Sequence, residues 1–420
     1  MHATALLEAQ TELVRRVLRF EQPADRVVAD HFREQRSLGA REPAELADGI
    51  FALLRKLPLW RHLAASADSR RTPERRLAIL SWRGSDDTLR AALDDGERAW
   101  LERVRALAVG ALPEALRHNL PDWLARPLQQ RLGAEFQDWV DAIDRPAPLD
   151  LRVNALKADR DEVLRRLAAS GIDAAPTPFS PLGVRVAGKP ALQKNDVFAQ
   201  GLVEVQDEGS QLLALAVGAR RGEIVVDFCA GAGGKTLALG AQMRNTGRLY
   251  AFDVSGHRLA ALQPRLLRSG LSDVHPAQIA HERDERIERL AGKVDRVLVD
   301  APCSGTGTLR RHPDLKWRQG ASIDALVRQQ RAILGAAARL VKPGGRLVYA
   351  TCSVLDVEGG DVADAFERDV GAAFVRVSTA EALARARVPS AASLVEGDRM
   401  RLWSHRHGTD GFFAALWQRA

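Results

Sequence analysis

A chain of 420 residues, 46% hydrophobic and 27% charged, is long enough for two or three domains, each with its own core. Three widely spaced cysteines exclude a disulfide framework and a cysteine zinc site, and they fit a reducing, cytoplasmic setting. No apolar run reaches membrane-spanning length, and the first twenty residues carry no signal-peptide pattern. The net charge is +7: residues 1–150 hold 23 basic and 24 acidic side chains, and residues 151–420 hold 38 and 30, so the positive excess is C-terminal. That balance suits partners carrying phosphates, and it equally suits an arginine-rich composition with no such partner.

Residues 1–143 are expected to be helical, because apolar residues recur at helical spacing in LVRRVLRF, ELADGIFALLRKLPLW and ALPEALRHNL. The stretch DHFREQRSLGA (30–40) reads as a helix end stopped at Gly39. DRPAPLD (144–150), with two prolines among acids, reads as a linker. Residues 151–205 read as a small α+β module: LRVNAL is a short strand, DRDEVLRRLAASG a helix closed by Gly171, and PTPFSPLGVRVAG turns and strands. At 206 the chain enters QDEGSQLLALAVGA, a helix capped by Asp207. From 223 short runs rich in β-branched residues (EIVVDF, RLYAFD, VDRVLVD, GRLVYATC) alternate with helical stretches. This pattern predicts a parallel, Rossmann-like α/β sheet with helices on both faces. FVRVS and DGFFAALWQR are placed to add antiparallel edge strands.

In such a sheet ligands sit beyond the C-terminal strand ends. Past the first strand comes Cys229-Ala230-Gly231-Ala232-Gly233-Gly234-Lys235-Thr236. Glycines allow close backbone approach, and the helix that follows offers free N–H groups. A P-loop needs glycine where Cys229 stands, so a cradled triphosphate is excluded. The second strand ends in Asp253, placed to accept two ribose hydroxyls, or alternatively to cap the next helix. A nucleoside cofactor without triphosphate leaves NAD or S-adenosylmethionine. The fourth strand ends in Asp300-Ala-Pro-Cys303-Ser304 and the fifth in Thr351-Cys352-Ser353. Neighbouring fourth and fifth strands would bring two of the three cysteines together, as a disulfide, a metal site or a nucleophile with a helper. Metal binding lacks two further ligands nearby.

DFCAGAGGKT (227–236), DAPCSGTGTLRRHPDLKWR (300–318) and ATCS (350–353) resemble the S-adenosylmethionine-dependent RNA cytosine-C5 methyltransferases of the bacterial Sun (Fmu) type and their nucleolar relatives. LRVN (151–154), VQDEGSQL (205–212) and HGTDGFF (407–413) extend the resemblance over roughly 150–420. Residues 24–55 more weakly resemble the helical, NusB-like RNA-binding domain of bacterial members. The resemblance implies a NusB-like helical domain (1–143), a small α+β module (151–205) and a class I methyltransferase domain (206–420). It implies S-adenosylmethionine as cofactor and RNA as substrate, 16S ribosomal RNA foremost, with transfer RNA or a non-catalytic ribosome-assembly role as alternatives. DNA-type enzymes lack the second cysteine, and amino methyltransferases place an aromatic motif where this chain has Asp-Ala-Pro-Cys.

A thiolate adding to C6 of cytosine turns C5 into a nucleophile, and a nearby acid offsets charge developing in the ring. The residues alone leave the attacking thiol open. The resemblance implies that Cys352 attacks, that Cys303 helps release the product, and that Asp300 contacts cytosine or cofactor. It assigns the cofactor to Cys229, Ala230, Gly231, Ala232, Gly233, Gly234, Lys235, Asp253 and Asp300. The acid that the family carries after the third strand is replaced here near Gln278–Ile279, and glycines follow Glu358. The basic loop with Arg310, Arg311, His312, Lys316, Trp317 and Arg318 reads either as an RNA contact or as a solvated loop. Asn154 and Gln206–Ser210 match family positions but equally fit a strand edge and a helix cap.

Overall fold

The computed structural model describes residues 2–35, 38–39, 41–66, 71–107, 112–188, 190–318, 320 and 322–420. The chain forms two compact units, one of Met1–Pro146 with Thr308–Gly320, the other of Ala147–Gly307 with Ala321–Ala420. No helix among the described residues is long and apolar enough to cross a membrane.

The first unit is helical. Its first helix, Ala3–Val17, buries Leu6, Leu7, Gln10, Leu13, Val14 and Val17, which recur every three or four residues along one face. That face packs against the helix Glu42–Arg55, whose Ile50, Leu53 and Leu54 are fully buried. The helix Ala24–Glu34 stops five residues before Gly39, and Arg36, Ser37 and Ala40 of that expected helix end lie outside the described residues.

The segment Thr308–Gly320 belongs to this unit although it lies 160 residues beyond the linker in sequence. Lys316 donates to the Arg55 carbonyl at 2.7 Å and to the Asn119 carbonyl at 3.0 Å. The Trp317 indole donates to the Leu54 carbonyl at 2.7 Å. The Arg55 guanidinium donates to the Arg310 carbonyl at 2.8 Å. The segment thus satisfies carbonyls at the end of the helix Glu42–Arg55 that would otherwise be orphaned.

The second unit holds two sheets. The smaller contains β1 (Leu149–Val153), β2 (Ala174–Pro176), β3 (Gly183–Val186) and β4 (Val203–Val205) in the order β2-β3-β1-β4, all antiparallel. The helix Arg160–Ala169, N-capped by Asp159 and followed by Gly171 at φ +72°, completes it.

The larger sheet is built from β5 (Ile224–Asp227), β6 (Arg248–Asp253), β7 (Val274–Gln278), β8 (Val294–Asp300), β9 (Val341–Thr351), β10 (Phe374–Val377), β11 (Val395–Glu396), β12 (Arg399–Leu402) and β13 (Phe412–Arg419). Its order is β11-β12-β13-β9-β8-β5-β6-β7, with β10 also pairing β13. The block from β9 to β7 is parallel, and β13 runs antiparallel to β9. β13 is flanked on both sides rather than forming an edge: β9 takes one side, and β12 and β10 share the other. In β8, Val297 and Val299 point into one core layer and Leu298 into the other. Burial on both faces explains the unbroken apolar run VLV. The first layer is covered by the helices Ile323–Ala338 and Gly360–Val370, the second by Glu208–Val217, Gly234–Gln242 and Thr379–Arg385. After β5 the chain crosses to β6 on one side and later to β8 on the other. The C-terminal ends of β5, β6, β8 and β9 therefore open on one crevice at the topological switch point.

Candidate active site

At that crevice lies a cleft of about 820 Å³. Its floor is the loop from Cys229 to Lys235. Gly231 and Gly233 have φ of +55° and +82°, which side-chain-bearing residues rarely adopt. A Cβ on Gly233 would lie 2.1 Å from Leu262 Cδ1, whereas one on Gly231 would meet nothing within 4 Å. The Gly231 amide donates to Asp253 Oδ2 at 2.8 Å, and Ser255 donates to Asp253 Oδ1 at 2.7 Å. Asp253 thus ends β6 as a buried carboxylate fixed by two backbone N–H groups; it orders the turn, and the helix Gly256–Ser269 is capped by Ser255 instead.

Asp227 ends β5 on the same cleft and is 1% exposed. Thr236 donates to its Oδ2 at 2.7 Å, while Oδ1 has no hydrogen-bond partner. Burial, only partly offset by the Thr236 hydroxyl, pushes its carboxyl up to about 7. Lys235 meets Asp300 Oδ2 at 2.6 Å. Burial alone would lower the lysine, but Asp300 outweighs it and holds the ammonium above its ordinary value. The Cys229 thiol forms part of the wall, where burial first and Asp227 second push it well above the ordinary thiol value.

Past the ends of the consecutive strands β8 and β9, Cys303 and Cys352 converge. Their sulfurs lie 3.3 Å apart, both thiols are free, and both line the cleft. The hydrogen bond to Cys352, followed by burial, raises Cys303 well above the ordinary thiol value, so Cys303 keeps its proton. The two cysteine loops are joined by Glu358, a fully buried carboxylate. Its Oε1 accepts from the Ser304 amide at 2.9 Å and from Gln330 Nε2 at 3.1 Å. Its Oε2 accepts from the hydroxyls of Ser353, at 2.6 Å, and of Ser304. Each serine directly follows one of the cysteines. Gln330 also donates to the Pro302 carbonyl at 2.9 Å. Gly307 closes the same junction: its amide donates to the Cys352 carbonyl at 2.9 Å, and Gly411 donates to the Gly307 carbonyl at 2.8 Å. A Cβ on Gly307 would lie 2.0 Å from the Gly411 carbonyl oxygen. Close backbone approach therefore accounts for Gly307 and Gly411, while Gly305 and Gly408 adopt φ of +72° and +69°.

The structure brings the loop 229–235, Asp253, Asp300, Cys303 and Cys352 onto one cleft. The basic loop belongs to the first unit. Arg310 and Lys316 are only 7% and 3% exposed, so neither forms the open basic surface that the composition suggested. The physical reason is the hydrogen bonding of this segment to helix-end carbonyls, and burial pushes Lys316 down to about 7. Arg311 and Arg318 are half-buried, and Arg318 lies 3.6 Å from Asp314. Asn154 and Gln206–Ser210 are joints. Asn154 donates to the carbonyls of Gly201 and Ser269, at 3.0 and 2.9 Å. Glu208 accepts from the amides of Phe179 and Ser180 at 2.6 and 2.7 Å. Asp207 caps its helix and accepts from Asp410 at 3.1 Å. After β7, Gln278 turns its amide to the Val254 carbonyl at 3.0 Å, and Ile279 forms the wall. An acid is still delivered there: Glu282, three residues on, lines the cleft, which the sequence reading missed. It also missed Gln330 and the clamp made by Glu358, whose only signal was a single acid after ATCS.

The residues fit a nucleoside sulfonium ligand. The glycine loop leaves space above Gly231, Asp253 stands fixed opposite it, and Asp227 Oδ1 is an unpaired buried acceptor. Among the described residues no group of three or more His, Cys, Asp or Glu is placed to hold a metal. This sheet order with its crevice defines a class I methyltransferase domain.

A family model for the 16S rRNA methyltransferases RsmB/F matches residues 214–418, and one for their ferredoxin-like domain matches 120–193. The chain is 34% identical over 306 residues to the probable ribosomal RNA small subunit methyltransferase B of a Synechocystis strain, covering 72% of this chain and 67% of that protein. It is 36% identical over 273 residues to ribosomal RNA small subunit methyltransferase B of Sodalis glossinidius. That match spans 65% of this chain but only 62% of the relative's length. The crystal structure of PH0851 superimposes with a TM-score of 0.78 at 26% identity, covering 100% of this chain and 98% of that one. The chain belongs to the RsmB/F methyltransferase family.

Proposed function

We propose that this protein transfers a methyl group from S-adenosylmethionine to C5 of a cytosine in small-subunit ribosomal RNA, through a covalent adduct with Cys352. The observation that carries the reading is the pair of free thiols 3.3 Å apart on the cleft that also holds the glycine loop. A buried structural cysteine needs no second thiol and no open cleft beside it.

The loop 229–235 and Asp253 would hold the cofactor, with Ile279 and Glu282 on its adenine side. When bound, S-adenosylmethionine supplies the electrophilic methyl group. The Cys352 thiolate adds to C6 of the base, and the displaced π electrons make C5 nucleophilic. Asp300, tied to Lys235 at 2.6 Å, would meet the edge of the base where the ring gathers charge. After methylation the C5 proton passes to solvent water, its C–H electron pair re-forms the C5=C6 double bond, and the bond from C6 to Cys352 breaks with its electron pair returning to the sulfur. Cys303, protonated and in contact with the Cys352 sulfur, is placed to exchange a proton during that release. A target base within a helix must be turned out of its stack to reach the thiols. In the basic loop, the exposed His312 and the half-buried Arg311 and Arg318 would meet phosphate.

The test uses wild type, Cys303→Ala and Cys352→Ala, each with S-adenosylmethionine and small-subunit RNA lacking the modification. A denaturing gel reads covalent protein–RNA adducts. A stable adduct with Cys303→Ala and none with Cys352→Ala is expected. The reverse pattern would transfer the nucleophile role to Cys303. Absence of adduct and of methyl transfer in all three would remove the catalytic reading.

A further inference from the structure

A second cavity, of about 490 Å³, lies within the same unit, toward the opposite ends of the strands. Seven arginines line it, and no acidic residue does. Two of them, Arg296 on β8 and Arg346 on β9, are directly paired in register across adjacent strands. Like charges directly opposite in a sheet are destabilising. Arg296 is neutralised by Glu223 at 2.6 Å and donates to the Val217 carbonyl at 2.9 Å. Among the described residues Arg346 has only the carbonyls of Ala216 and Val217, each at 3.4 Å. Burial, followed by Arg296, Arg385 and Arg220, lowers its guanidinium to about 10.

The rim adds Arg220, Arg244 and Arg387, all exposed, and no ion pair joins any of the three to a carboxylate among the described residues. Glu223 balances Arg296 and Glu381 lies 2.9 Å from Arg385, which leaves five of the seven arginines without a carboxylate partner among the described residues, an arrangement suited to an anion. Planar guanidinium groups on several separate elements match the spaced oxygens of a phosphate chain better than a single carboxylate.

We propose that this arginine groove binds the phosphodiester backbone of the RNA substrate away from the target cytosine. The proposal rests on the RNA methyltransferase reading and adds a second contact site to it. Arg296 precedes Asp300 by four residues and Arg346 precedes Cys352 by six. At about 3.3 Å per strand residue, Arg296 and Arg346 are roughly 13–20 Å from the reacting end. That distance corresponds to roughly four to six nucleotides of a helical strand at about 3.4 Å each. The groove therefore reads the flank of the site rather than the base.

The test compares wild type with the triple variant Arg220→Ala/Arg244→Ala/Arg387→Ala and the triple lysine variant at the same positions. All three residues are exposed and lie outside the cleft of the thiols. The RNA is transcribed small-subunit RNA, and binding is measured from 0.05 to 0.3 M salt. Removing three arginines that each neutralise one phosphate, at about 0.7 per phosphate, should flatten the log–log salt slope by roughly 2. The KM for RNA should rise at least roughly tenfold, with kcat and S-adenosylmethionine binding unchanged, and the lysine variant should keep the wild-type slope. Unchanged slope and KM in the alanine variant, while wild type methylates RNA, would overturn the groove and leave the methyltransferase reading intact. Micromolar binding of inorganic triphosphate by wild type, abolished in the alanine variant with no change in RNA KM, would also overturn it in favour of a small polyanion. Failure of wild type to bind or methylate RNA at all would remove both readings together.

Discussion

Glu358 offers the sharpest perturbation. Its two oxygens face donors of different kinds. Oε1 serves the Ser304 backbone N–H, which can only donate, and the Gln330 NH2 group, held as a donor because it also serves the Pro302 carbonyl. Oε2 serves two hydroxyls, which can also accept. In Glu358→Gln the side-chain carbonyl can take the Oε1 place and the NH2 group can donate to the hydroxyls, so the cost should be about 1 kcal/mol. In Glu358→Ala the Ser304 N–H loses its acceptor and the Gln330 NH2 group keeps only the Pro302 carbonyl; the Ser304 hydroxyl still has Thr306 and Ser353 within 3.2 and 3.3 Å. Two unsatisfied buried N–H groups at about 1–3 kcal/mol each, together with a small cavity, give about 3–5 kcal/mol. That is a large share of a typical total of about 5–15 kcal/mol. The alanine variant should also free the serines beside the thiols, and a displacement of about 1 Å there costs roughly 100-fold in kcat. The KM for S-adenosylmethionine should stay, because the loop 229–235 is untouched. Urea unfolding and steady-state methyl transfer would measure both effects. An alanine variant within about 1 kcal/mol of wild type with unchanged kcat would refute the clamp, as would a glutamine variant as damaged as alanine.

Lys316 is held at about 7 in the folded unit, below its unfolded value of 10.5. The unfolded chain therefore holds more protons between those values, and wild-type stability should rise over that window by a few kcal/mol. Lys316→Met should flatten that rise in a series of urea midpoints from pH 6 to 10, and a slope equal to wild type would contradict the assignment. Asp227 is the opposite case: its folded value of about 7 lies above 3.8, so stability should fall as pH climbs from about 4 to 7. Asp227→Asn should remove that fall in denaturation curves recorded across the same range, and an unchanged pH dependence would argue against a protonated Asp227. Gly233→Ala combines a φ of +82° with a clash on Leu262 and should cost about 2–4 kcal/mol in unfolding free energy. Gly231→Ala, in open space, should cost about 1–2 kcal/mol yet weaken calorimetric S-adenosylmethionine binding at least as much as Gly233→Ala. Full cofactor affinity in Gly231→Ala would show that nothing is bound above that loop.

What was legible in the sequence was what is decided locally. The run VLVD and the markers that follow it announce a strand buried on both faces and the loop at its end, because both signals lie within fifteen residues. β7 gave no such signal: VHPAQ has one β-branched residue and a proline, which are tolerable because it lies at the sheet edge and pairs β6 alone. The basic loop misled for the opposite reason. Its composition is that of a solvated surface, but Lys316 is placed by carbonyls 197 and 261 residues earlier in the chain. Nothing in RRHPDLKWR encodes that distance. The same limit explains why the cysteines could be found but not ranked. Two strand ends predict that Cys303 and Cys352 are neighbours. That Cys303 holds its proton depends on a 3.3 Å contact and on burial, and the two loops are aligned by a carboxylate reached from both at once. In this fold the sequence marks the positions of reactive groups, and long-range contacts set their protonation. Substitutions at the clamp should therefore alter the thiol chemistry without touching either thiol.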